Sequence, residues 1–301
     1  MDSSADVITP PVSAPLAGVR IVSIAINLPG PACARRLADF GATVVKVEPP
    51  EELGGDPMRQ YARGYYDELH QGLEIRALNL KSDTDRAALD DLLATADIFL
   101  TSQRNAALER LKLDWNAVSA RFPRLSQIGI VGTADSNDAG HDLTYIAAAG
   151  LATPPYLPAT LIADLAGSER AATATFAALR LQQQTGHGQH MVVSLVAAAN
   201  AFAGPHRHGL TRPGGLLAGQ HPGYNFYRAL DGWVVLAALE PHFAARVTAA
   251  SAVAFTQEAL AGYFRQHGVS HWSHWAQEHD IPLATLPASS ASSSSSTTSP
   301  S

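Results

Sequence analysis

The chain is poor in several things at once, and each shortage excludes something. Among 301 residues there is a single cysteine, Cys33. No disulfide can form within the chain, which suits a reducing compartment such as the cytoplasm. Basic residues are too few for a general nucleic-acid surface: 21 Lys and Arg face 27 Asp and Glu, for a net charge of −6. No apolar run approaches the ~18 residues of a membrane-spanning helix. Met1–Pro15 lacks a basic segment followed by an apolar one, so no signal peptide is expected. Neither nucleic acid nor membrane is therefore an expected partner. What remains is a chain with 46% hydrophobic residues, enough for one large or two ordinary domains with real cores.

The pattern begins with a tail over 1–14, rich in Ser, Asp and Pro and expected to be disordered. Val19–Ile24 is a β-branched run that reads as a strand. Pro31 suits the first turn of a helix over Ala32–Phe40, which Gly41 stops, and Thr43–Val47 is a second strand. This βαβ unit implies a parallel sheet. Its turn, Leu28-Pro29-Gly30-Pro31, lacks the three spaced glycines of a dinucleotide fingerprint. Further strands are expected at 77–80, 97–100, 125–131 and 189–193. An Ala-rich helix is expected over 168–184. Asp231-Gly232 marks a hairpin between 224–228 and 233–238. Residues 204–223, rich in Gly, Pro and His, read as a linker. His206, His208 and His221 lack metal spacing, and no metal site is expected. Cys33, in a helix pattern with no His near it in sequence, reads as a buried small hydrophobe. Residues 288–301 are almost all Ser, Thr, Ala and Pro, a composition that cannot form a core.

The stretch 139–167 carries the candidate chemistry. Gly140-His141-Asp142 follows an apolar strand, and Asp164 stands between Leu161-Ile162-Ala163 and Ala166-Gly167. An imidazole and a carboxylate delivered by two such turns can act as proton-transfer groups. Asp142 and Asp164 each also precede a helix-like segment, so a plain N-cap reading stands beside the catalytic one. Arg104 follows a strand C-terminus, where open α/β sheets bind ligands, and can hold a phosphate or be a solvated helix-start residue. Glu240, before Pro241 at a helix start, is a third candidate, with a dipole-favoured carboxylate as the alternative.

Pro15-Leu-Ala-Gly-Val-Arg-Ile-Val, Leu37-Ala-Asp-Phe-Gly-Ala-Thr-Val-Val-Lys-Val-Glu48, Gly55-Asp-Pro-Met-Arg59, Leu78-Asn-Leu-Lys-Ser82 and Phe122-Pro-Arg-Leu125 follow one another in register. Together with Ala163-Asp-Leu-Ala-Gly167 and Thr185-Gly-His-Gly-Gln189, they resemble the family III CoA-transferases, the carnitine dehydratase/bile-acid-inducible F superfamily. Gly140-His141-Asp142 resembles the racemase branch, since transferases more often carry Tyr at this place.

The resemblance implies a Rossmann-like large domain with a parallel sheet at 15–205, a small α/β domain at 206–287, and an interlocked homodimer. By the same resemblance, the family's C-terminal return segment is expected to be missing after Leu286. Coenzyme A enters as part of the acyl-CoA substrate, with no permanently bound cofactor. Lys46, Arg76, Arg104 and Tyr145 are the candidate CoA contacts. His141 and Asp164, helped by Glu240, would exchange the α-proton of 2-methylacyl-CoA thioesters. Alternatively, Asp164 is the nucleophile of CoA transfer, through a mixed anhydride and an aspartyl-CoA thioester. A catalytically inactive truncated paralogue is the third reading. It is suggested by Leu73-Glu74, which stands where the family usually has a basic pair.

Overall fold

The computed structural model describes residues 14–134 and 139–288. The tails read above as disordered therefore lie almost wholly outside the described residues. The described chain divides into two compact units, meeting between Ala203 and Gly204.

The first unit is built on six parallel strands: β1 (Arg20–Ser23), β2 (Thr43–Glu48), β3 (Glu74–Ala77), β4 (Ile98–Thr101), β5 (Ser126–Val131) and β6 (His190–Ser194). Their order is β3-β2-β1-β4-β5-β6. The middle strands are runs of Val, Ile and Leu because helices cover both of their faces. Ile21, Val44, Ile98, Leu100, Ile128 and Ile130 form one core against α1 (Pro29–Asp39) and the long α8 (Ile162–Thr185). On the opposite face, Val22, Val45, Val47 and Phe99 pack with Leu89, Leu93, Leu108 and Val118. These last four belong to α4 (Asp83–Ala94), α5 (Asn105–Arg110) and α6 (Trp115–Arg121). Short helices α2 (Met58–Tyr61), α3 (Arg63–Leu69), α7 (Asp142–Ala148) and α9 (Leu195–Phe202) complete the unit.

The structure corrects two boundaries. The strand expected at 77–80 is instead Glu74–Ala77. Glu74 and Arg76 alternate with Ile75 as befits a sheet edge, and Leu78 and Leu80 pack beneath it after the strand has ended. The helix expected from Ser168 begins six residues earlier, at Ile162. It ends as the sequence suggests, at Gly186 with φ +75°, the left-handed cap that glycine adopts without strain.

The second unit carries α10 (Gly204–Arg207), within the stretch read as a linker, and three antiparallel strands, β7 (Tyr224–Arg228), β8 (Gly232–Ala237) and β9 (Leu283–Pro287), in that order. The expected hairpin at Asp231-Gly232 is β7–β8. Helices α11 (Pro241–Ser251), α12 (Gln257–Phe264) and α13 (Val269–His279) close over a core of Val234, Leu236, Val247, Phe264 and Trp272. The Trp272 indole N–H is buried and donates to the Phe264 carbonyl at 2.9 Å. Among the described residues no helix is long and apolar enough to cross a membrane.

Candidate active site

In the order β3-β2-β1-β4-β5-β6 the chain reverses direction between β1 and β4. A crevice opens beyond the strand C-termini at such a switch point. In the first unit this place holds a cavity of about 480 Å³, lined by the segments that follow β1, β4 and β5. The crevice loops are tied together. Ser102 Oγ accepts the Ile26 N–H at 3.0 Å, and Gln103 Nε2 donates to the Ile24 carbonyl at 2.8 Å.

Two helices aim their first residues into the cavity. His141 is the N-cap of α7 and lines the wall. The Thr144 hydroxyl accepts the His141 N–H at 3.1 Å and donates back to its carbonyl at 2.8 Å, so the turn is held from position 144. Asp164 lies in the first turn of α8 and lines the same cavity. Its N–H, one of the donors a helix start leaves unpaired, donates to Asp142 Oδ1 at 3.0 Å. The N-cap expectation for the two aspartates is thereby revised. The caps are His141 and Leu161, and Asp142 serves the neighbouring helix instead of its own.

The same contact has an electrostatic consequence. Burial pushes the Asp164 carboxyl up to about 6, the nearby Asp142 charge adds to the rise, and His141 opposes it. Asp142 is itself buried. Tyr145 on α7 completes this wall. A Cβ at Gly132 would fall 2.3 Å from its hydroxyl oxygen, and one at Gly140 2.4 Å from its ring. Only glycine lets the ring lie there. Burial raises the Tyr145 phenol, Asp164 raises it further and Arg104 lowers it. Arg104 is the N-cap of α5, makes no side-chain cap hydrogen bond, and lines the cavity.

The structure thus brings together His141, Asp164, Arg104 and Tyr145, while Lys46 and Arg76 of the same unit do not line this cavity. Lys46 is fully buried with its Nζ 2.7 Å from Asp56, which corrects the expectation that it contacts CoA. Its ammonium is consumed by an internal ion pair. Arg76 is exposed on the edge strand β3 and pairs with Glu74, away from the lining residues. Glu240 belongs to the second unit, at the N-cap of α11, and its side chain makes no cap hydrogen bond. Cys33 is buried within α1, and burial raises its thiol far above the ordinary range. Among the described residues no group of three or more His, Cys, Asp or Glu is placed to hold a metal ion.

Sequence reasoning missed the wall formed by Gln127, Gly129, Trp115, His190 and Val192. The alternation Gln127, Gly129, Val131 along β5 was the available signal. It marks one strand face as lacking large apolar residues.

A model of CoA-transferase family III matches residues 16–292. The chain belongs to that family. It is 31% identical over 248 residues to the alpha-methylacyl-CoA racemase of Homo sapiens, covering 76% of this chain and 62% of that protein. It is 28% identical over 250 residues to the succinyl-CoA–L-malate CoA-transferase beta subunit of Chloroflexus aurantiacus, covering 68% and 61%. The chain therefore spans about three fifths of the length of these relatives. Among solved structures, a CAIB/BAIF family protein from Brucella suis shares the fold with a TM-score of 0.75. Its identity is 20%, and the match covers 91% of this chain and 84% of that one. A hypothetical protein of Mycobacterium tuberculosis gives the same TM-score at 21% identity, covering 91% and 86%. Racemases and CoA-transferases both stand among the relatives, so membership alone does not choose between them.

Proposed function

We propose that the chain binds acyl-CoA thioesters and exchanges the α-proton of 2-methylacyl groups, with His141 and Asp164 as the acid/base pair. The observation that carries this reading is a single cavity lined by both groups, in which the Asp164 carboxyl is pushed up to about 6. A carboxyl tuned toward neutrality exists in both protonation states near pH 7, as a group that must take and return protons requires. The thioester acidifies the α-hydrogen. One group removes it, negative charge develops on the thioester oxygen, and the second group delivers a proton to the opposite face, inverting the carbon. Arg104 at the α5 N-cap is the candidate holder of a CoA phosphate. Glu240 remains a proposed assistant from the second unit. A homodimer and a cytoplasmic location accompany the reading as proposals.

The runner-up is CoA transfer. It is supported by the transferases among the relatives and by a carboxylate that lines the cavity as a nucleophile would. In that route Asp164 attacks the thioester carbonyl and CoA leaves as thiolate; the thiolate then attacks the Asp164 carbonyl of the mixed anhydride, forming the aspartyl-CoA thioester and expelling the acyl group as its carboxylate.

One experiment separates the readings. The protein is incubated with 2-methylacyl-CoA esters in deuterated water and followed by NMR, with His141→Ala and Asp164→Ala alongside. Deuterium entering the α-position, and lost in both variants, is the expected result. No exchange with CoA passing to an added acid, lost only in Asp164→Ala, would replace this proposal by transfer. Neither activity would leave the inactive-paralogue reading.

A further inference from the structure

The cavity does not stop at the crevice. It continues down β5 and the edge strand β6, on the side of the sheet where Val22, Val45 and Phe99 pack with α4, α5 and α6. Gln127 pairs in register with His190, and Gly129 with Val192, so these four side-chain positions share one face. Val192 remains 50% exposed. A Cβ on Gly129 would meet only the Met191 carbonyl, at 3.9 Å, and its absence leaves the floor bare. At the far end the Trp115 and His190 rings stack, with centroids 5.3 Å apart and planes within 7°. Burial lowers the His190 pKa, which favours the uncharged ring.

The decisive atom is on Gln127, which is 1% exposed. Its Nε2 donates to the Leu113 carbonyl at 3.0 Å, fixing the amide's orientation. Its Oε1 is buried and accepts no hydrogen bond from any described residue. A buried acceptor without a donor is uncommon and costly, and Gln127 is one of the residues that line the cavity beside the aromatic pair. From Val131, at the His141 and Asp164 end, to Gln127 is four strand steps, about 13 Å.

We propose that this strip receives the distal end of the acyl group and selects acyl chains that end in a flat ring bearing an O–H or N–H donor. The ring stacks against Trp115 and His190, its donor satisfies Gln127 Oε1, and the intervening chain crosses Gly129 and Val192. The inference rests on the acyl-CoA reading and adds to it the class of acyl group.

The test is calorimetric binding of three probes: CoA, 2-methyl-6-phenylhexanoyl-CoA and 6-(4-hydroxyphenyl)-2-methylhexanoyl-CoA. The native protein should bind the hydroxyphenyl thioester about tenfold more tightly than the phenyl one. In Gln127→Met that preference should fall to within about twofold, with CoA binding as the control that the site is intact. Trp115→Leu should weaken both ring thioesters by about fivefold relative to CoA. This arm decides the matter if the Gln127 variant fails to fold. Equal binding of the two thioesters by a native protein that binds CoA would overturn the ring subsite alone. Failure to bind CoA at all would overturn the acyl-CoA reading and this inference with it.

Discussion

Replacing Asp142 by Asn isolates the electrostatics of the candidate site. The amide keeps an oxygen for the Asp164 N–H, held at 3.0 Å in the native protein, and removes the charge. Asp164 is raised from 3.8 to about 6, first by burial and second by Asp142. That is about two pKa units, or about 3 kcal/mol between its protonation states. Loss of the Asp142 charge should lower the value by on the order of one unit. The sign for stability follows from a pKa raised on folding. Such a group contributes stability that is present below 3.8 and lost as pH rises through about 6. At neutral pH the native protein therefore carries a penalty that Asp142→Asn relieves, stabilising the fold by about 1 kcal/mol. Carbon-13 carboxyl NMR, with Asp164→Asn to assign the signal, reads the pKa, and urea unfolding reads the stability. The acid limb of the exchange-rate profile should move to lower pH with it. An unchanged or higher Asp164 pKa, or a variant less stable at neutral pH, would refute the reasoning. Asp142 would then act chiefly as an anionic cap.

Two other perturbations test the buried polar residues Lys46, Asp56 and His70. Lys46→Met strands Asp56 as a buried, unpaired carboxylate and should cost about 3–5 kcal/mol in denaturant unfolding. Adding Asp56→Leu should restore most of it, and a single variant as stable as the native protein would sink the account. His70 is buried, and burial, with Lys46 and Arg59 adding, lowers its pKa below 6.5. Its contribution is thus present above 6.5 and lost as pH falls. The urea midpoint should drop between about pH 7 and about pH 5, and His70→Gln should flatten that drop; equal slopes would count against it.

Much of the architecture was legible because it depends on local signals. The β-branched runs, Pro31 at a helix start, Gly186 at a helix end and the Asp231-Gly232 turn each have a steric cause that acts within a few residues. His141 and Asp164 were legible as candidates because short apolar segments deliver them. What was not legible is tertiary. The start of α8 at Ile162 has no capping side chain of its own, since its missing acceptor comes from Asp142, 22 residues away. Lys46 looked like a ligand contact because nothing local announces that Asp56 will consume its charge. Gln127 and Trp115 meet His190 only after β6 has paired with β5, and no spacing along the chain encodes that meeting.

The 24 residues of α8 make a rod about 36 Å long. One end carries Asp164. The other is pinned beyond the opposite rim of the sheet, where Gln182 Nε2 donates to the Arg124 carbonyl and Gly188 passes so close to Leu125 that a Cβ there would fall 2.1 Å from its carbonyl oxygen. A rod transmits displacement with little loss. The aim of the carboxylate is therefore set partly by packing at the far end of its own helix. Substitutions around 182–188 are places to look for rate changes without any change in the cavity walls.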